Sequence, residues 1–205
     1  MSDQSAAKPK AGPLTWALWG VALLGVAAVV YIMAQVLTKP GGGGDLKSAA
    51  QGEMAKLVIS PDAGAAPATS FQDATGKPVR IADFKGKVVV VNLWATWCAP
   101  CLVEMPTLAK LKQEYAGRPL EVVAISIDTP SAQEKARAFI ARHAPLDYYA
   151  DPSMKLSFAF TPPATSMPTT VIYGADGVER GRLSGGADWS GPDAKALLDR
   201  VLAEK

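Results

Sequence analysis

The chain is poor in the residues on which much protein chemistry depends. It has two cysteines and one histidine among 205 residues. Beyond a bond between Cys98 and Cys101, then, no disulfide can brace the fold. The usual structural zinc sets, four cysteines or two cysteines with two histidines, are excluded by count, and zinc on two cysteines plus carboxylates runs against its ligand preferences. Charge excess is also missing. Twenty-one basic residues face 19 acidic ones for a net charge of +2, with no basic stripe, so nucleic acid is not an expected partner. No G-x-G-x-x-G fingerprint or internal repeat occurs, and nothing implies a bound nicotinamide or flavin.

Long apolar runs are present. Leu14 to Leu37 contains no charged residue. As a helix it would span about 36 Å, enough for a hydrocarbon core of about 30 Å. Trp16 and Trp19 lie near one end and Tyr31 nearer the other, as interfacial aromatics do. Lys8 and Lys10 precede the run and orient residues 1–13 to the cytoplasm. The expectation is a single-pass anchor over 14–37 in the inner membrane with the following domain in the periplasm. The alternative is a cleaved signal peptide, for which the run is long and Ile32-Met33-Ala34 is the nearest small-x-small site.

Residues 38–68 read as a linker. Pro40-Gly41-Gly42-Gly43-Gly44 is flexible by composition, and Ser60 to Ala68 reads as a second tether. Between them Asp45 could cap a short helix from Leu46 to Leu57, with Leu46, Ala50, Met54 and Leu57 on one face. Residues 69–205 form the globular domain, within the usual size range. Phe71–Asp73 and Pro78–Ile81 flank a hairpin-like turn. Val88 to Trp94 and Leu120 to Ile127 are buried strands by their apolar content. Pro100 to Tyr115 and Ala132 to His143 carry helical spacing; Asp147–Ala150 suggests a short strand and Met154–Phe160 a short helix. Thr169–Tyr173 and Val178–Ser184 bracket the turn Gly174-Ala175-Asp176-Gly177, and Pro192 to Glu204 is the last helix. The pattern predicts an α/β fold with a mixed central sheet flanked by helices.

The cysteines are the most informative residues. Trp97-Cys98-Ala99-Pro100-Cys101 follows the apolar strand and opens a helix. A Cys-x-x-Cys pair in that place reads as a redox centre. Unpaired N–H groups and the helix dipole favour an anion at Cys98 and so populate its thiolate.

Asn92 to Cys101, Glu104-Met105-Pro106, Val122 to Asp128, Met167-Pro168-Thr169-Thr170 and Ala187-Asp188-Trp189 together resemble the thioredoxin superfamily. Within it the chain is similar to the TlpA/ResA-like membrane-anchored thiol–disulfide oxidoreductases, and most similar to the TlpA branch. The resemblance implies a thioredoxin-like fold and no cofactor other than the Cys98–Cys101 disulfide. It makes Cys98 the attacking sulfur and Cys101 the resolving one. It makes Met167-Pro168 a cis bond in a loop that faces the pair and binds substrate, with Trp97 part of the same docking face. An ordinary proline at the start of a strand is the alternative for Pro168. Glu104 becomes a proton-relaying carboxylate, although an acidic residue in a first helical turn also needs no function. Asn92 stands where soluble thioredoxins keep a buried aspartate, which argues against thioredoxin proper.

The implied function is reduction of extracytoplasmic protein disulfides in assembling the copper centre of cytochrome oxidase. The implied partners are a Sco-like chaperone and the oxidase copper subunit, with a membrane thiol transporter as electron donor. The alternatives are reduction in cytochrome c maturation and a Sco-type copper chaperone, which the two-residue spacing of the cysteines disfavours. A peroxidase is disfavoured because Thr96 lies two residues before Cys98 rather than three. Ala99-Pro100 leans towards a reductant without fixing the direction of electron flow. Pro106 should kink its helix or mark a later helix start. His143 is read as a helix-end residue and Trp94 as core.

Overall fold

The computed structural model of the chain describes residues 24–31, 42–59 and 64–204. Two compact units divide at Gly41. In the first, residues 24–31 are helical and exposed. The rest of the expected 14–37 span lies outside the described residues, among which no helix is long and apolar enough to cross a membrane.

The second unit is built on a sheet of seven strands. They are β1 (Phe71–Gln72), β2 (Pro78–Val79), β3 (Val88–Trp94), β4 (Leu120–Ser126), β5 (Tyr149–Ala150), β6 (Thr169–Tyr173) and β7 (Glu179–Ser184), in the order β2-β1-β5-β4-β3-β6-β7. β3 is near the centre. It runs parallel to β4 with Val90 opposite Val122, and antiparallel to β6 with Leu93 opposite Thr169. Every residue of β3 is buried. Its four consecutive valines suit a strand covered on both faces, where branched side chains pack well.

Among the described residues five α-helices complete the unit: α1 (Gly42–Ala49), α2 (Ala99–Glu114), α3 (Gln133–Ile140), α4 (Lys155–Ala159) and α5 (Pro192–Leu202). α2 buries Cys101, Glu104, Met105, Leu108 and Leu111, and α5 buries Ala194, Leu197, Leu198 and Val201. Both sets repeat every three to four positions, which places each on a single helical face. α2 runs unbroken through Pro106, so that proline sits inside the helix rather than at a later start. The expected mixed sheet with flanking helices is the observed fold.

One reading changes. The segment taken as linker is partly domain. Leu46, Ala50, Met54 and Leu57 are all buried in the core cluster. α1 ends at Ala49, and a 3-10 turn at Gly52–Lys56 follows, in place of one helix from Leu46 to Leu57. Gly52 makes the break. Its φ is +54°, and a Cβ there would lie 1.9 Å from Asp193 Oδ2 on α5. Leu57 lies against Gly181 of β7, where a Cβ would come within 2.7 Å of its Cδ2. Beyond it Val58 and Arg182 exchange backbone hydrogen bonds, and Ala65 bridges Val178. The segment thus covers the free edge of β7, which would otherwise invite pairing with another chain. Burying Leu46, Met54 and Leu57 is worth about 1.5–3 kcal/mol each, enough to hold the segment down.

Candidate active site

The parallel strands β3 and β4 point their C-terminal ends the same way, and the chain leaves β3 there to enter α2. Residues 95–97 make that connection. Thr96 fixes it: its N–H and hydroxyl both donate to the buried Asp128 carboxylate, which also accepts from Ser126 Oγ. Sequence reasoning assigned no role to this cluster, because Asp128 lies after a different strand.

Cys98 follows as the N-cap of α2, with extended backbone, and is joined to Cys101 by a disulfide. Its Sγ accepts the Cys101 N–H at 3.3 Å. This is where the first turn of a helix presents donors without intrahelical partners, so negative charge on Cys98 would be stabilised. Pro100 belongs to the same turn and contributes no N–H. Cys98 retains 6% of its surface and Cys101 none. An incoming sulfur therefore has only Cys98 to attack. Trp97 beside it is 66% exposed, an indole left in water at the rim.

Glu104 sits one turn beyond Cys101 and is buried. Asn92 Nδ2 on β3 donates to its Oε1 at 2.8 Å. The Ala187 N–H and the Trp189 indole N–H donate to its Oε2 at 3.2 and 3.3 Å. Every one of these donors is neutral. Burial pushes the carboxyl up from 4.5 to about 7, against the downward pull of the hydrogen bonds from Asn92, Ala187 and Trp189. Asn92 also donates to Thr170 Oγ1 on β6, and its Oδ1 has no partner among the described residues. Its amide is thus committed as a donor between the strand and the carboxylate. The sequence showed Asn92 only as a missing aspartate, and Trp189 only as part of the stretches that carry the family resemblance. Their place beside Glu104 depends on contacts across 12 and 85 residues of chain.

Met167-Pro168 is cis and lies just before β6. Thr169 pairs with Leu93, so the register sets Pro168 level with the end of β3 from which the cysteine loop departs. Pro168 is buried and Met167 half-buried. Trp94, by contrast, is buried in the core against Phe139. His143 closes the turn after α3, stacked on the same Phe139 ring.

An open groove of about 460 Å³ borders the site. Pro100, Val103, Glu104 and Thr107 of α2 form one side and Gly186 to Asp188 the other, with Glu53 at the margin. It gives the buried carboxyl a route to water beside the disulfide. The arrangement can carry thiol–disulfide exchange: one reachable sulfur at a helix start, one buried sulfur behind it, and a carboxyl poised to exchange a proton near neutral pH.

The AhpC/TSA family matches residues 63–180 of the chain. The thioredoxin-like protein YneN of Bacillus subtilis is 45% identical over 75 residues, 36% of this chain and 44% of that protein. A thiol-disulfide oxidoreductase ResA of Bacillus thuringiensis is 41% identical over 63 residues, 31% of this chain and 36% of the other. The crystal structure of a thiol:disulfide interchange protein of the thioredoxin family from Chlorobium tepidum superposes with a TM-score of 0.56 at 25% identity, covering 69% of this chain and 97% of that one. These relatives bear out the resemblance to ResA-like thiol–disulfide oxidoreductases. The chain spans less than half the length of the curated relatives it matches.

Proposed function

The chain belongs to the AhpC/TSA family, and on that premise we propose that it is a membrane-anchored periplasmic thiol–disulfide oxidoreductase that reduces protein disulfides. The observation that carries the reading is the single accessible sulfur of Cys98 at the start of α2, with Cys101 buried behind it and Glu104 one turn further on. The relatives named ResA support it.

In the reduced protein the Cys98 thiolate attacks one sulfur of a substrate disulfide. The other substrate sulfur leaves as a thiolate and takes up a proton, giving a mixed disulfide on Cys98. Cys101 then gives its proton to the Glu104 carboxylate and attacks Cys98 Sγ. The substrate's second sulfur leaves and is protonated. The balance is two electrons and two protons delivered to the substrate, and one Cys98–Cys101 disulfide formed. A membrane dithiol donor must restore the thiols by the same exchange in reverse.

The finer proposal is that the substrates are proteins assembling the copper centre of cytochrome oxidase, a Sco-like chaperone and the copper subunit. It rests on the sequence resemblance, as does the 14–37 anchor. A peroxidase is less consistent with the site, since the Thr96 hydroxyl is committed to Asp128.

Replacing Cys101 with serine should leave substrates trapped on Cys98. Capture of copper-assembly proteins from membranes of the source cell supports the finer reading. Capture of apocytochrome c would replace it with cytochrome c maturation, and absence of any mixed disulfide would remove the reductase reading altogether.

A further inference from the structure

The stretch from Gly185 to Trp189 supplies both donors to Glu104 Oε2, and it has no regular secondary structure of its own. Its position therefore depends on how it is tied. At one end the Gly185 N–H donates to the Pro168 carbonyl, and at the other the Trp189 N–H donates to Thr107 Oγ1 at 3.1 Å. The middle is held from elsewhere. The Asp188 N–H donates to Glu53 Oε2 at 2.7 Å, the shortest of these ties. Glu53 lies in the 3-10 turn of the segment whose composition reads as a tether, and that turn is seated by the fully buried Met54 next to it.

We propose that Glu53 is a positioning residue of the redox site: by holding Asp188 it presents the Ala187 and Trp189 donors to Glu104. The inference deepens the oxidoreductase reading and rests on Glu104 serving the cysteine pair. The two donors sit at 3.2 and 3.3 Å, at the long end for hydrogen bonds, so a small outward shift of the stretch would weaken both. The groups facing Glu104 are Asn92 from β3, with Thr170 of β6 behind it, the Ala187 and Trp189 donors, and the cysteine pair one turn back on its own helix. Among the described residues Glu53 and Asp188 are the other carboxylates on the groove, and no cation lines it.

Glu53 therefore acts through its hydrogen bond, which favours ionisation of Glu104 by keeping the donors in place. Glu53→Gln removes the charge but keeps an acceptor for the Asp188 N–H, whereas Glu53→Ala removes both. The test follows the Glu104 carboxyl by 13C NMR in glutamate-labelled, disulfide-bonded full-length protein, with the resonance assigned by its loss in Glu104→Gln. The midpoint in Glu53→Ala is expected above that in Glu53→Gln by about half a pH unit, the size expected when hydrogen bonds to a charged group are weakened rather than lost. The Trp189 indole N–H resonance should move in Glu53→Ala and stay near its native position in Glu53→Gln. Coincident titrations and indole shifts in the two variants would overturn the proposal. Glu53 is exposed, so both variants are expected to fold. The readout needs no substrate, so a failed substrate trap would sink the reductase reading without touching this result, and the reverse also holds.

Discussion

The two ends of α2 hold the same chemical group in opposite ways. At the start of the helix Glu104 is buried among neutral donors, and its carboxyl is raised to about 7. At the far end Glu121 of β4 lies between Lys112 and Lys87, at 2.7 and 2.9 Å. Burial would raise Glu121 too, but the hydrogen bonds and charges of the two lysines outweigh it and hold the group below its ordinary value. Lys112 also reaches Asp147, and Arg118 pairs with Asp199. The difference is a matter of partners. A carboxylate given cations stays ionised and serves as a tie. One given only N–H groups stays close to its titration point, where it can exchange a proton near neutral pH.

The largest effect should come from the sulfur itself. Cys98→Ser is expected to abolish disulfide exchange, measured as reduction of a protein disulfide with dithiothreitol as donor, because no second reachable sulfur exists. Glu104→Gln comes next. It keeps the shape of the side chain but not the proton, and should slow exchange about 100-fold. The same variant should flatten the pH dependence of stability in denaturant titrations. Glu104 titrates higher in the fold than in the unfolded chain, so its contribution is full below about 4.5 and is lost as pH rises through about 7. The loss amounts to about 3 kcal/mol, and it should vanish in Glu104→Gln. Glu121 acts in the other sense, stabilising above its unfolded value and ceasing to do so as acid protonates it.

Met54→Ala tests the segment that carries Glu53. Removing a fully buried methionine should cost about 2–5 kcal/mol by chemical denaturation. An effect below 1 kcal/mol would mean that the segment is a tether after all. The smallest change is expected at the far end of α2. Lys112→Ala should lower stability by about 1 kcal/mol and leave the rate and pH profile of disulfide exchange unaltered. A shift in that profile would show that the two ends of the helix are not independent.

The sheet was legible because its signals are local. Val88 to Trp94 is apolar but for Asn92, and Thr169 to Ser184 brackets a glycine turn, so both strands and their hairpin follow from neighbouring residues. The cysteine pair was legible for the same reason. The segment 42–59 was not. Its glycines read as a leash, and although Leu46, Ala50, Met54 and Leu57 marked an apolar face, the surfaces that face meets, α5 and β7, come more than a hundred residues later. Glu104 could be placed on its helix by spacing alone. Its partners could not, since Asn92, Ala187 and Trp189 converge on it only through the sheet register and the stretch after β7. A position read as a lost aspartate thus proves to be a donor that helps to hold the carboxyl which replaces it.

In the function proposed here, Cys98 and Cys101 form a reducing couple whose proton is managed by Glu104. The midpoint potential of the couple, measured against pH in the full-length protein and in Glu104→Gln, tests it most directly. The potential expected is near that of thioredoxin, about −270 mV, with an inflection near pH 7 that disappears in the variant. A potential near that of DsbA, about −120 mV, with identical pH profiles in the two proteins, would contradict it.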